Sequence, residues 1–196
     1  MTRYGPGTAL IVVDVQNDFA DPAGSLYVKG GEEVIGFING EIARAREAGA
    51  AVVFTQDWHP EITPHFQKDG GLWPVHCLGG SWGAELHREL DAGLEEPRVR
   101  KGVGGEDGYS GFTVADPATG ERAPTDLERV LNERGLERVV VVGIATDYCV
   151  RATALDGVEK GYPTTVLEEG IRAVDLLPGD GDRAIEEMMR AGVSVE

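Results

Sequence analysis

Short apolar runs alternate with stretches of helical spacing along most of the chain. Four consecutive valines, 139–142, have the β-branched, uniformly apolar character of a strand that is buried on both faces, as in parallel sheets. The first run, 8–15, carries Asp14 at its C-terminal end. Six segments in all are predicted as strands: 8–15, 50–55, 98–101, 139–142, 164–167 and a short one near Val193.

Apolar residues spaced three and four apart predict helices between these strands. In 32–48 the apolar positions Val34, Ile35, Ile38 and Ile42 share one face, and Gly49 ends the pattern. Thr125 to Glu128 matches a capping box at a helix start, in which the threonine and glutamate side chains satisfy free N–H groups. Helices are also predicted over 84–94, from Cys149 to Gly161, and over 182–191 with Ile185, Met188 and Met189 facing inward.

The alternation of strand and helix predicts an α/β protein. We expect a three-layer sandwich, in which an open, mostly parallel six-stranded sheet has helices on both faces. At 196 residues the chain is predicted to form a single domain, 1–196.

Charge and composition narrow the classes of partner. The formal net charge of −16 argues against nucleic acid and against anionic membrane surfaces, because both select basic proteins. No apolar run reaches membrane-spanning length, and the N-terminal apolar run is too short for a signal peptide. Two cysteines among 196 residues argue against a disulfide framework and fit a reducing compartment. We therefore expect a cytoplasmic protein.

Chemically reactive side chains lie at or beyond the ends of four predicted strands: Asp14, Asp57, Lys101 and Cys149. In open parallel sheets, ligands bind beyond the carboxyl ends of the strands, so the fold would bring these residues to one rim. Cys149 lies between a strand and a helix, where the helix dipole is expected to lower the thiol pKa. Each residue has a structural alternative: a buried apolar cysteine, capping aspartates and a solvated lysine. Their joint placement favours a catalytic site.

Three of the four histidines fall within the long irregular segment 56–83. Asp57, His59, His65 and His76 together suit a divalent transition ion such as Zn, Fe or Mn. Any one of these histidines alone would be read as a surface residue, whereas the cluster predicts a metal site. His87 is predicted to be solvated on the 84–94 helix, and Cys77 to serve packing rather than ligation.

Six motifs in order along the chain resemble the nicotinamidases of the isochorismatase-like cysteine hydrolase family. They are DVQNDF at 14–19, TQDWH at 55–59, WPVHC at 73–77, KG at 101–102, YSGF at 109–112 and GIATDYCV at 143–150. The resemblance implies a catalytic triad of Asp14, Lys101 and Cys149. It also implies a cis peptide bond between Ile144 and Ala145.

The same resemblance implies roles for further residues. The metal ligands would be Asp57, His59, His65 and His76. The oxyanion hole would use the N–H groups of Ala145 and Cys149, and the aromatic substrate walls would be Phe19, Trp73 and Tyr109.

The implied reaction is the metal-dependent hydrolysis of nicotinamide to nicotinate and ammonia through a cysteine thioester, a step of NAD salvage. One alternative is a related hydrolase that acts on isochorismate or on another small amide or carbamoyl substrate, which should lack the aspartate–histidine set. A non-catalytic metal-binding module is a second alternative, although it would have no need of Asp14, Lys101 and Cys149. The sequence leaves open which metal is bound, whether the chain forms a homo-oligomer, and whether pyrazinamide is also a substrate.

Overall fold

A computed structural model describes residues 3–196 and contains eight strands in that range. They are β1 (Thr8–Val13), β2 (Ala51–Asp57), β3 (Arg98–Lys101), β4 (Thr113–Ala115), β5 (Arg122–Pro124), β6 (Arg138–Ile144), β7 (Thr164–Arg172) and β8 (Ser194–Val195). Six of them form one sheet in the order β3-β2-β1-β6-β7-β8, with every neighbouring pair parallel. The α/β prediction is confirmed. The single domain over 1–196 stays a prediction, and it includes Met1 and Thr2, which lie outside the described residues.

Five α-helices lie between the strands: α1 (Asn17–Ala20), α2 (Ile35–Glu47), α3 (Leu127–Glu133), α4 (Arg151–Glu159) and α5 (Asp180–Arg190). A 3₁₀ turn, Glu32–Val34, leads directly into α2, so the predicted helix over 32–48 is present nearly in full. Among residues 3–196, no helix combines the length and the apolar character that crossing a bilayer requires.

Two apolar cores, one on each face of the sheet, give the three layers. In β1, Leu10 faces the core formed with α2, while the next residue, Ile11, faces the core formed with α3, α4 and α5. All six residues of β1 are buried, because successive side chains point to opposite faces and both faces are covered. This explains why the central strands read as continuous apolar runs rather than as an alternating pattern.

The prediction of a helix over 84–94 is wrong. A 3₁₀ turn, Trp82–Ala84, is followed by irregular chain whose backbone bonds the segment after β1 at Glu85 and His87. Asn17 N–H donates to Glu85 O at 2.9 Å, and His87 N–H donates to Val15 O at 2.8 Å. His87 is consequently buried rather than solvated, with Nε2 3.6 Å from Asp21 Oδ2.

Three smaller expectations also need correction. The predicted loop between Gly102 and Arg122 contains β4, which pairs antiparallel with β5. The capping box is only half formed: Thr125 Oγ1 accepts a hydrogen bond from Leu127 N–H at 3.1 Å, but the Glu128 carboxylate bonds Lys160 instead. On α5, Met188 is buried as expected while Met189 is exposed, because the core contacts only one side of this helix.

Gly143, near the end of β6, is a position that only glycine suits. Its φ is +120°, and a Cβ there would lie 2.0 Å from Val13 O in the adjacent strand, immediately before Asp14.

We expect Gly143→Ala to lower the free energy of unfolding by at least about 2 kcal/mol, measured by chemical denaturation. Gly36→Ala on the exposed side of α2, where no atom lies within 4 Å of the added carbon, should be neutral or stabilising by about 0.5–1 kcal/mol. Equal effects of the two changes would contradict this reading of Gly143.

Candidate active site

The four reactive residues predicted at strand ends lie together at one rim of the sheet. Asp14 follows β1, Asp57 ends β2, Lys101 ends β3, and Cys149 lies beyond β6. Because β3, β2, β1 and β6 are consecutive and parallel in the sheet, their carboxyl ends meet at the same edge. Asp14 has a φ of +48°, which turns the chain sharply out of the strand at the rim.

Lys101 is the centre of this group. Its side chain is fully buried, and Nζ lies 2.7 Å from Asp14 Oδ2. The same ammonium donates to the Asp57 carboxylate and to the Gly108 carbonyl, and lies 3.7 Å from Cys149 Sγ. Burial by itself would lower the pKa of Lys101, but the charges of the two carboxylates raise it well above its usual value. The lysine therefore stays an ammonium ion inside the protein.

Asp14 is the carboxylate suited to proton transfer. Burial raises the pKa of Asp14 to about 6, against the opposing charge of Lys101. The Thr55 hydroxyl donates a 2.6 Å hydrogen bond to Oδ1, which fixes the orientation of the carboxylate. An acid with a pKa close to neutrality can both take and return a proton without a large energetic penalty.

Cys149 does not have the lowered pKa that its position between strand and helix suggested. It lies inside a wide helical turn, Thr146–Val150, that leads into α4. Burial raises the pKa of the Cys149 thiol well above its usual value; Lys101 opposes this effect and Asp14 adds to it. Desolvation of the thiolate thus outweighs the favourable helix end. The thiol form is favoured, so an attack by sulfur requires a nearby base.

The three histidines of the long segment meet next to this group. His59, His65 and His76 are buried, and each offers a ring nitrogen within 4.8 Å of the others. Asp57 Oδ2 lies 3.8 Å from Nε2 of both His59 and His76. The other oxygen of Asp57 faces Lys101, so one carboxylate belongs to both groups. Burial would raise the pKa of Asp57, but the charge of Lys101 and the adjacent imidazoles of His59 and His76 lower it well below its usual value.

The hydrogen bonds of these histidines fit a divalent ion between them. His76 Nδ1 donates to Pro74 O at 2.8 Å, which leaves its Nε2 lone pair free. His65 Nδ1 is bonded to Asp107 at 2.5 Å, and both ring nitrogens of His59 are buried without a hydrogen-bond partner. Buried imidazole nitrogens normally have partners, and metal-binding histidines typically bond through the second nitrogen to a carbonyl or carboxylate. The donor set therefore suits a metal ion, whereas Cys77 packs in the core as predicted.

A pocket opens between the two groups, and Cys149, Asp57 and His76 line it. Phe19, Trp73 and Tyr109 also line this pocket, together with Ala145, and their role as substrate walls stays a prediction. Trp73 Nε1 donates to the Tyr109 hydroxyl at 2.9 Å, which joins two of the walls. Of the other lining residues, His65 had been predicted as a metal ligand and Ile144 as part of the cis peptide bond. Four more were not foreseen from the sequence: Leu26, Val28, Tyr148 and Val174.

Some of these omissions had a signal in the sequence and others had none. Tyr148 stands directly before Cys149 in a recognised motif, and its ring packs edge-on against Trp73 at 4.8 Å between centroids. Val174 comes from the segment after β7, and Asp147 holds it there by accepting 2.9 Å hydrogen bonds from Val174 N–H and Asp175 N–H. No local pattern links positions so far apart in the chain.

Backbone geometry completes the site. The Ile144–Ala145 peptide bond is cis, as predicted. Gln16 orients Asp57 through its main chain: the amide nitrogen donates to Asp57 O, and the amide oxygen accepts from Asp57 N–H, both at 2.8 Å. Gln16 is fully buried and was missed as a positioning residue, although it lies inside the first motif.

Comparison with known proteins agrees with this arrangement. The model of the isochorismatase domain matches residues 8–195. The chain belongs to the isochorismatase family. The nicotinamidase/pyrazinamidase of Mycobacterium tuberculosis is 41% identical over 194 residues, which cover 95% of this chain and 97% of that protein. The family and such relatives identify the chain as an amidohydrolase.

Solved structures of similar proteins share the fold. The pyrazinamidase of Pyrococcus horikoshii in complex with zinc has a TM-score of 0.86 at 38% identity, covering 97% of this chain and 99% of that one. PnC1 from L. infantum in complex with nicotinate has a TM-score of 0.89 at 37% identity, covering 100% of this chain and 95% of that one.

Proposed function

We propose that this amidohydrolase is a nicotinamidase, which hydrolyses nicotinamide to nicotinate and ammonia. The observation that carries the proposal is one pocket lined by Cys149, Asp57, His65 and His76, with His59 grouped beside these two histidines. A thiol beside a carboxylate and an ammonium suits attack on an amide carbon, and the adjoining imidazoles suit an ion that binds a pyridine nitrogen. The relatives named nicotinamidase and the neighbour bound to nicotinate support the same substrate class, with pyrazinamide as a further candidate.

In the first half of the proposed reaction, Asp14 takes the proton from the Cys149 thiol as Sγ bonds to the carboxamide carbon. The N–H groups of Ala145 and Cys149 are the proposed donors to the oxyanion that develops on the carbonyl oxygen. Asp14 then passes the proton to the amide nitrogen, the C–N bond breaks, and ammonia leaves a thioester on Cys149. Lys101 keeps its positive charge throughout and offsets the negative charge that moves between Asp14 and sulfur.

In the second half, water hydrolyses the thioester. Asp14 accepts a proton from water as its oxygen bonds to the thioester carbon, and returns the proton to Sγ as the C–S bond breaks. Nicotinic acid is released, loses its carboxyl proton to solvent as nicotinate, and the thiol is restored. The net reaction consumes one water for each amide and leaves Asp14 and Cys149 unchanged.

Asp57, His59, His65 and His76 are the proposed ligands of one divalent ion, Zn, Fe or Mn. When bound, such an ion would supply a Lewis acid for the ring nitrogen of the pyridine and so orient the carboxamide towards Cys149. The zinc-bound pyrazinamidase of Pyrococcus horikoshii supports zinc as the first metal to test.

The direct test measures ammonia release from nicotinamide by the purified protein, together with the metal content of the same sample. We expect nicotinamide to be hydrolysed far faster than a carbamoyl substrate such as N-carbamoylsarcosine. No ammonia release from nicotinamide by zinc-, iron- or manganese-loaded protein, alongside turnover of the carbamoyl compound, would overturn the proposal in favour of the related hydrolase activity.

Comparing benzamide with nicotinamide as substrates tests whether the ring nitrogen contributes to substrate binding. Benzamide has the same scissile group and nearly the same outline but no ring nitrogen. We expect kcat/KM for nicotinamide to exceed that for benzamide by about 10²-fold, because each 1.4 kcal/mol of lost contact costs about tenfold. Removal of the metal by a chelator should erase this preference along with most of the activity, and re-addition of the ion should restore both. Equal turnover of the two amides by metal-loaded protein would refute coordination of the ring nitrogen while leaving the Cys149 chemistry in place.

A further inference from the structure

Asp107 lies beside the histidine group, although no motif in the sequence pointed to it. Its Oδ1 is 2.5 Å from His65 Nδ1. The two side chains differ in exposure: Asp107 retains 28% of its accessible surface, while His65 retains 3%. Asp107 is thus a partly solvated carboxylate whose hydrogen bond reaches an interior imidazole.

The backbone of Asp107 is held by a part of the fold that does not carry the histidines. Asp107 and Ala115 exchange two main-chain hydrogen bonds, of 2.8 and 2.9 Å, which attach Asp107 to the β4–β5 hairpin. Hydrogen bonds connect the hairpin to α4: the Thr113 hydroxyl and the Arg122 guanidinium both donate to the Asp156 carboxylate. His65 comes from the separate segment between β2 and β3. The bond between Asp107 and His65 therefore joins two independently supported parts of the structure.

We infer that Asp107 is a positioning residue for the metal site: it accepts the Nδ1–H hydrogen bond of His65 and so directs the Nε2 lone pair of that ring towards the ion. The inference rests on the proposed function, in which His65 is a metal ligand. A neutral imidazole carries its proton on one of two nitrogens, and a carboxylate at Nδ1 favours the form in which Nε2 can bind a metal. The same hydrogen bond restricts rotation of the ring and makes Nε2 a stronger donor. For His76 the corresponding acceptor is the Pro74 carbonyl, so of these two rings only His65 is held by a charged group.

Zinc affinity of the full chain tests the inference without relying on turnover. We expect Asp107→Ala and Asp107→Asn to raise the zinc dissociation constant by about 10- to 100-fold, measured by competition with a chromophoric chelator of known affinity. Asn keeps one acceptor oxygen but no charge, so its loss should lie at the lower end of that range. Glu106→Gln is the matched control. It removes a neighbouring carboxylate whose hydrogen bond goes to Gly104 N–H and to no histidine, and zinc affinity should be unchanged.

A double-mutant comparison distinguishes positioning of His65 from a general effect of charge. In a His65→Ala background, adding Asp107→Asn should not weaken zinc binding further, because the ring that Asp107 orients is gone. The visible spectrum of the cobalt-substituted protein should also change in Asp107→Asn and not in Glu106→Gln. Far-UV circular dichroism checks folding, and the nearly isosteric Asn variant keeps the test usable if the Ala variant does not fold.

Two results would overturn the inference. One is zinc affinity of the Asp107 variants within about twofold of the parent chain, and the other is an equal loss with and without His65. A parent chain that binds no zinc, cobalt, iron or manganese would overturn this inference together with the proposed metal site. Nicotinamide hydrolysis by the metal-free protein would then show that the amide chemistry stands apart from the failed metal assignment.

Discussion

Replacement of Cys149 by alanine is expected to abolish nicotinamide hydrolysis while leaving the protein folded. The proposed reaction passes through a covalent bond to Sγ, and no other side chain in the pocket can replace a thiol as the nucleophile. We expect kcat to fall by at least about 10⁴-fold, to the limit of detection in an ammonia-release assay. The removed thiol is small, and the loss of one sulfur atom should cost little packing energy.

The other cysteine provides a matched control. Cys77 is buried in the apolar core, with Sγ 3.8 Å from Gly83 O, and does not line the pocket. Cys77→Ala should retain hydrolysis and lower thermal stability slightly, because it removes a buried sulfur atom. Mass spectrometry of the parent enzyme quenched during turnover should find the nicotinoyl group on the peptide that contains Cys149. A nicotinoyl adduct on any other residue, or substantial turnover by Cys149→Ala, would remove Cys149 from the role of nucleophile.

Asp14→Asn is expected to have the second largest effect. The amide keeps the shape of the side chain and can still bond to Thr55, but it cannot accept the thiol proton. General acid–base catalysis typically contributes about 10²- to 10⁴-fold, and we expect a loss of kcat in that range. Burial raises the pKa of the Cys149 thiol, so attack by sulfur needs a base that accepts the thiol proton, and an asparagine at position 14 offers none.

The pH dependence of kcat/KM provides a second test of Asp14 as the base. Asp14 must be ionised to take a proton, and its pKa is raised to about 6, so kcat/KM of the parent enzyme should fall as the pH drops below that value. The residual activity of Asp14→Asn should not show this acidic fall. Asp21→Asn is the control: its carboxylate accepts from Ala23 N–H outside the pocket, and both the rate and the pH profile should stay unchanged. Near-normal rates in Asp14→Asn would exclude Asp14 as the base.

Local sequence patterns were sufficient to predict the architecture and to locate the candidate site residues along the chain. The continuous apolar runs of β1 and β6 indicated strands buried on both faces, and helical spacing identified α2, α4 and α5. Since the carboxyl ends of neighbouring parallel strands share one rim, residues that follow separate strands could be expected to meet. Asp14, Lys101 and Cys149 do so.

Where local pattern and tertiary contact disagreed, the contact prevailed. The 84–94 segment has some helical spacing, yet Glu85 C=O and His87 N–H bond the chain after β1, and no helix forms. His87 is buried for the same reason, although nothing in its neighbourhood in the sequence indicated it. Backbone polar groups need partners, but the sequence of a short segment does not specify whether those partners are local.

The chemical state of the site was likewise decided only by the tertiary structure. The sequence identified Cys149 at a strand–helix junction, from which a lowered thiol pKa followed; the burial that raises it instead comes from residues distant in the chain. The division of Asp57 between Lys101 and the histidines, and the bond from Asp107 to His65, also join segments that are far apart in sequence. Residue types and their spacing thus determined which groups could react and at which edge they would gather. Their charges, orientations and partners depend on desolvation and on distances of a few ångströms between separate segments, which only the folded chain specifies.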